Sequence, residues 1–161
     1  MKRDSGTTSS RNGDTDKASV EALKAALKKA KAEPSNLENW DDLEEIASVL
    51  QRPDEVMALY RKVLIPDFPV AKVTPLCERA LRFLEEWFAG ETAVAVEILE
   101  KALGLDPGSD FALDRLTILL SVTQDFDPLL AAYDRTLAAI PDSPRRRRLL
   151  QDAATVARDS G

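Results

Sequence analysis

The sequence predicts an all-α protein: an α-solenoid of antiparallel helix pairs, about eight helices in all. Three observations predict it. Apolar residues recur at helical spacing from residue 18 onward, and no stretch alternates with period two long enough to make a strand. Proline, glycine and capping residues punctuate the chain between these apolar stretches. Closing prolines at 107 and 141 stand 34 residues apart, and the positions around Pro34 and Pro107 match in pairs.

Residues 1–17 have no apolar side chain after Met1, so nothing there offsets the entropy of ordering, and the reading is a disordered tail. The repeat region then spans 18–158, with a half unit over 18–34, units over about 37–70, 75–109 and 110–143, and a terminal helix over 144–158. Residues 18–32 place Val20, Leu23, Leu27 and Ala30 on one stripe. Ser35 with Glu38 reads as a capping box for a helix carrying Trp40, Leu43 and Ala47. Pro53 fits the first turn of the next, with Val56, Tyr60 and Val63.

Residues 65–73 hold two prolines and read as the longest internal loop, with Thr74 and Pro75 opening the following helix and Gly90 ending it. Further helices cover 92–105, about 110–122, and the stretches opened by Asp127–Pro128 and Ser143–Pro144. The terminal helix begins Arg145–Arg148, polar for a packing surface, which reads as a cap or as a point inside a longer array.

Aligned on the prolines, Trp40, Leu43, Ala47, Val56 and Tyr60 fall at the offsets of Leu113, Leu116, Leu120, Leu129 and Tyr133. On the same alignment Arg147 takes the place of Leu113 in the terminal helix. Arg79 and Arg82 stand where the middle unit should be apolar, which implies a local register shift.

Composition bounds the chemistry. The 161-residue chain has no histidine and one cysteine, Cys77. Serine–histidine–aspartate and cysteine–histidine catalysis are therefore closed to the chain acting alone, and so is the usual zinc site. No glycine-rich phosphate loop is present, and the adjacent pairs Asp41/Asp42 and Glu85/Glu86 point different ways on a helix. The expectation is no catalytic residue, no metal and no cofactor. A lone cysteine fits a reducing, cytoplasmic location and most simply reads as buried; no apolar run is long enough to span a bilayer.

The stretch from Gly90 to Pro107, GETAVAVEILEKALGLDP, carries a small residue at the turn, then small, large and small packing positions, then the closing proline. With Trp40 and the 34-residue spacing it resembles the tetratricopeptide repeat family; the half-a-tetratricopeptide repeats of RNA-processing complexes are similar too. The glycine usual in the family's first helix is replaced by Glu44 and Thr117.

The resemblance implies that the first helices line a concave face that binds a peptide or helix. The family's peptide-contacting offsets fall on Glu38, Asp41, Glu45 and Ser48, and on Phe111, Asp114, Ile118 and Ser121, and near Ala80, Leu84, Trp87 and Phe88. The family's basic clamp for C-terminal carboxylates is not reproduced. The expected partner is another protein or peptide, basic and hydrophobic in character. Against this stand plainer readings: Trp87 and Phe88 as core, Phe111 folded back on Leu103 or Leu105, and the acidic residues as a solvated helix face suited to the helix dipole.

Charge is segregated: residues 1–34 carry net +3, 35–144 net −12 and 145–161 net +3. The acidic middle disfavours nucleic acid. The basic patch Arg145, Arg146, Arg147 and Arg148 leaves an RNA-associated scaffold as one alternative, although no aromatics are interleaved for base stacking. Self-association between basic ends and acidic middle is another, and an accessory domain of a larger protein a third.

Overall fold

In a computed structural model of the chain, residues 9–161 are described, and among them are eight α-helices and no strand. They are α1 (Ser9–Ala32), α2 (Leu37–Leu50), α3 (Asp54–Val63), α4 (Val70–Trp87), α5 (Thr92–Leu105), α6 (Asp110–Val122), α7 (Phe126–Ala139) and α8 (Pro144–Asp159). Residues 1–8 of the expected tail lie outside the described residues, whereas α1 begins at Ser9, ahead of the Ala18 that the apolar pattern marks. Residues 13–17 of this extension are exposed; the buried stripe still starts at Leu23 and continues through Ala26 and Ala30.

Contacts divide the chain into two compact units, Met1–Leu59 and Tyr60–Gly161, with the boundary inside α3. In the first unit α1 packs on α2, where Trp40, Leu43 and Ala47 are fully buried. The Trp40 indole N–H donates to the Pro34 carbonyl at 2.9 Å, so the bulky ring is buried with its one donor satisfied. The N-cap of α2 is Asn36, whose side chain accepts from the Glu38 amide, rather than Ser35 as the capping-box pattern suggests.

In the second unit consecutive helices α4 to α8 pack one on the next, and α4 also meets α6 while α5 meets α7. Alternate helices thus share a layer, a helix-pair packing consistent with a helical-repeat arrangement. The core runs through Val73, Leu76, Ala80 and Leu84 of α4, Ile98, Leu99 and Ala102 of α5, Leu113, Leu116 and Leu120 of α6, and Leu129 and Tyr133 of α7.

Local structure repeats at the spacing that pairs Trp40 with Leu113. Gln51 after α2 and Gln124 after α6 both adopt the left-handed conformation, with φ of 55° and 57°. The Arg52 amide donates to the Ala47 carbonyl and, at the same offset, the Asp125 amide to the Leu120 carbonyl, each at 2.9 Å. Both turns are the six-to-one closure that ends a helix on a left-handed residue.

Two further features differ from the sequence pattern. Residues 70–73 are not loop but the first turn of α4, which begins after Pro69 and holds Pro75 at its sixth residue. Pro75 leaves only the Ala71 carbonyl without its helical donor, and Ala71 is exposed, so water can supply the bond. Burial of Val73 and Leu76 holds that turn in place. Of the arginines that stand where apolar residues are expected, Arg79 lies half-buried and donates to the Tyr60 hydroxyl at 3.2 Å, and Arg82 is exposed.

The second difference is in α8. Its inward residues are Arg145, Arg146, Leu149 and Ala153, one position earlier than the 34-residue alignment puts them, so Arg147 is exposed rather than at the place of Leu113. The second unit is also tied by charge: the Glu97 carboxylate of α5 accepts from Arg61 at 2.7 Å and Lys101 at 2.9 Å. The Arg61 hydrogen bond, with Lys101 behind it, holds the Glu97 carboxyl below its ordinary range.

Candidate functional site

The second unit contains two open grooves that adjoin at one residue. The first lies among α4, the start of α5 and α6, and has about 590 Å³ of open space. Leu81, Leu84, Phe88, Ala95, Leu99 and Leu119 supply apolar walls, with Glu85, Glu91 and Arg115 among the lining charges. Gly90, with φ of +96°, makes the turn that brings α5 back beside α4.

The second groove, about 890 Å³, lies among α6, α7 and α8 and is lined by Asp114, Thr117, Ile118, Tyr133, Asp152, Thr155 and Val156. Its back wall is ordered by hydroxyls: Thr117 donates to the Leu113 carbonyl at 2.8 Å and lies 3.3 Å from the Tyr133 hydroxyl. Burial raises the Tyr133 phenol above its ordinary range; the Thr117 hydrogen bond opposes this, while the nearby Asp152 and Asp114 carboxylates reinforce it.

Ile118 lines both grooves and is 56% exposed.

Of the residues singled out in the sequence, Leu84, Phe88, Asp114 and Ile118 come together in these grooves. Trp87 lines neither: it is half-buried, its ring 6.2 Å from that of Phe83, which in turn lies 5.8 Å from Tyr60. Phe111 is half-buried with the Arg115 guanidinium 5.7 Å over its ring. Ser121 is exposed and its carbonyl accepts from Gln124 in the turn after α6. Glu38, Asp41, Glu45 and Ser48 belong to the first unit, where they form one exposed stripe along α2.

The arginine run divides. Arg145 is mostly covered, donating to Asp110 at 2.6 Å and to the Pro107 carbonyl at 3.3 Å. Arg146 donates to the Leu137 carbonyl and, at 3.2 Å, to the Ile140 carbonyl, closing the end of α7. Arg147 and Arg148 are exposed.

The sequence reading missed Leu81, Glu85 and Arg115 as lining residues, along with Asp152 and Val156 of α8. The α4 pair is one step from Ala80 and Leu84, which the repeat offsets marked. Ala80 is buried and lines neither groove, while Leu81 and Glu85 line the first beside Leu84. Spacing within the stretch 81–88, apolar at 81, 84 and 88, is the signal that marks them.

Cys77 is buried, and that burial, with Glu78 adding to it, pushes its thiol up to about 12. Among the described residues no group of three or more acidic, cysteine or histidine side chains gathers as a metal would require, and no helix is long and apolar enough to cross a membrane. Comparison with protein-family models, with curated proteins and with solved structures gives no match.

Proposed function

We propose that the chain is a non-enzymatic interaction module, a tetratricopeptide-like solenoid of helix pairs that binds another protein or peptide on the face formed by α4, α6 and α8. The observation that carries this reading is Ile118, more than half exposed at the junction of two grooves whose floors are largely apolar. The repeated turns at Gln51 and Gln124 support the repeat part of the reading. A cytoplasmic location belongs to the same proposal and rests on the lone thiol. The RNA alternative draws less support, because Arg145 and Arg146 are turned into the fold, toward Asp110 and backbone carbonyls.

Site-specific photocrosslinking tests the proposal. A benzophenone side chain placed at Ile118 is expected to capture a discrete partner in the cells that make the protein. The same group at Asp134, exposed on α7, is the control. Adducts that do not differ between the two positions, or none at either, would reject the reading.

A further inference from the structure

Part of the second unit's negative charge is matched within the chain: Glu97 with Arg61 and Lys101, Glu100 with Arg135, Asp110 with Arg145. Along the grooves lie Glu85, Glu91, Asp114 and Asp152, and among the described residues none of the four forms an ion pair. The one lining cation, Arg115, rests over the Phe111 ring. Unmatched negative charge around an apolar floor favours an occupant that brings positive charge and an apolar anchor together, and it repels phosphate.

We infer that the occupant is a basic peptide segment with a bulky apolar side chain, the anchor seated against Leu84, Phe88 and Leu119 beside Ile118, and its cations facing Asp114 and Asp152 across the junction. This rests on the interaction reading above and names the chemistry of the partner for that site. Such an occupant replaces water at Ile118 with packed hydrocarbon and gives the two aspartates their only cationic partners. An acidic or uncharged apolar segment gains the first contribution and forfeits the second.

The probe is a short fluorescent lysine–leucine peptide, compared with glutamate–leucine and lysine–alanine counterparts by anisotropy on the full chain. Binding is expected for the first alone. Asp114→Asn with Asp152→Asn is expected to weaken it about tenfold, and Ile118→Ser by a similar factor. Removing two carboxylates away from the grooves, Asp67→Asn with Asp134→Asn, is expected to change it less than about twofold, which separates a site from attraction to an acidic protein in general. All five positions are exposed, and circular dichroism verifies that each variant keeps its helices.

Equal binding of the glutamate peptide, or equal effects of the two double variants, overturns the inference. So does displacement by an RNA oligonucleotide, or a dimer in sedimentation that Ile118→Ser dissolves, which would put a second copy on this face. A partner captured at Ile118 whose binding ignores Asp114 and Asp152 leaves the interaction module standing and removes only its basic ligand.

Discussion

Single side chains in this protein show how context decides what a residue does. Cys77 starts as a free thiol near a helix start, a place that can activate sulfur, yet it is fully buried and its pKa is pushed up to about 12. It is expected to resist a disulfide-exchange reagent at neutral pH while the protein is folded and to react at once in denaturant; labelling with and without urea measures this. The four arginines at 145–148 divide just as sharply. Arg146 bonds the open carbonyls at the end of α7, so Arg146→Ala is expected to cost about 1–2 kcal/mol in urea unfolding. Arg147→Ala, at an exposed position, is expected to stay within about 0.5 kcal/mol. Nothing in the run RRRR itself tells these neighbours apart, because the acceptors that distinguish them belong to α6 and α7.

Elements were legible to the extent that their signals were local. Gly90, Ser109 and Ser143 mark turns and caps through their own side chain or its absence, and the helices they bound lie where the spacing puts them. The start of α4 is different. Pro75 reads as an opening residue, but Val73 and Leu76 gain enough by burial to carry the helix back to Val70. The candidate site was legible in Leu84, Phe88, Asp114 and Ile118, whereas Leu81 and Glu85 lie one step beyond the offsets that marked Ala80 and Leu84. In α8 the inward face moves one residue earlier because Arg145 and Arg146 reach acceptors that no repeat alignment contains.

The paired turns offer a test at the same scale. Gln51 and Gln124 hold a conformation that glycine adopts without strain, so Gln51→Gly and Gln124→Gly are each expected to stabilise by up to about 1 kcal/mol. Similar gains in thermal unfolding at both positions would show that the turns are energetic as well as geometric equivalents.

At the scale of the whole molecule, the contacts form two compact units whose boundary falls inside a continuous helix. The acidic balance over residues 35–144 was plain from the sequence, but its use was not. Charge totals do not say which carboxylates are neutralised by the fold. The structure pairs Glu97, Glu100 and Asp110 and leaves Glu85, Glu91, Asp114 and Asp152 without cations among the described residues, and it is their place beside apolar groove walls that gives these four a preference.

The division into two units also sorts the chain's chromophores. Trp40 belongs to one unit and Trp87 to the other, and the first is wholly screened from solvent while the second is partly wetted. Emission from Trp87→Phe and Trp40→Phe proteins therefore reports each unit by itself, with the blue-shifted band belonging to Trp40. Because the backbone ladder of α3 runs unbroken through the boundary, melting of one unit frays the other, and the two single-tryptophan proteins are expected to lose their native spectra together, each measured against its own circular dichroism midpoint. Separate midpoints would mean that the helix parts at Leu59 and Tyr60 before either core gives way.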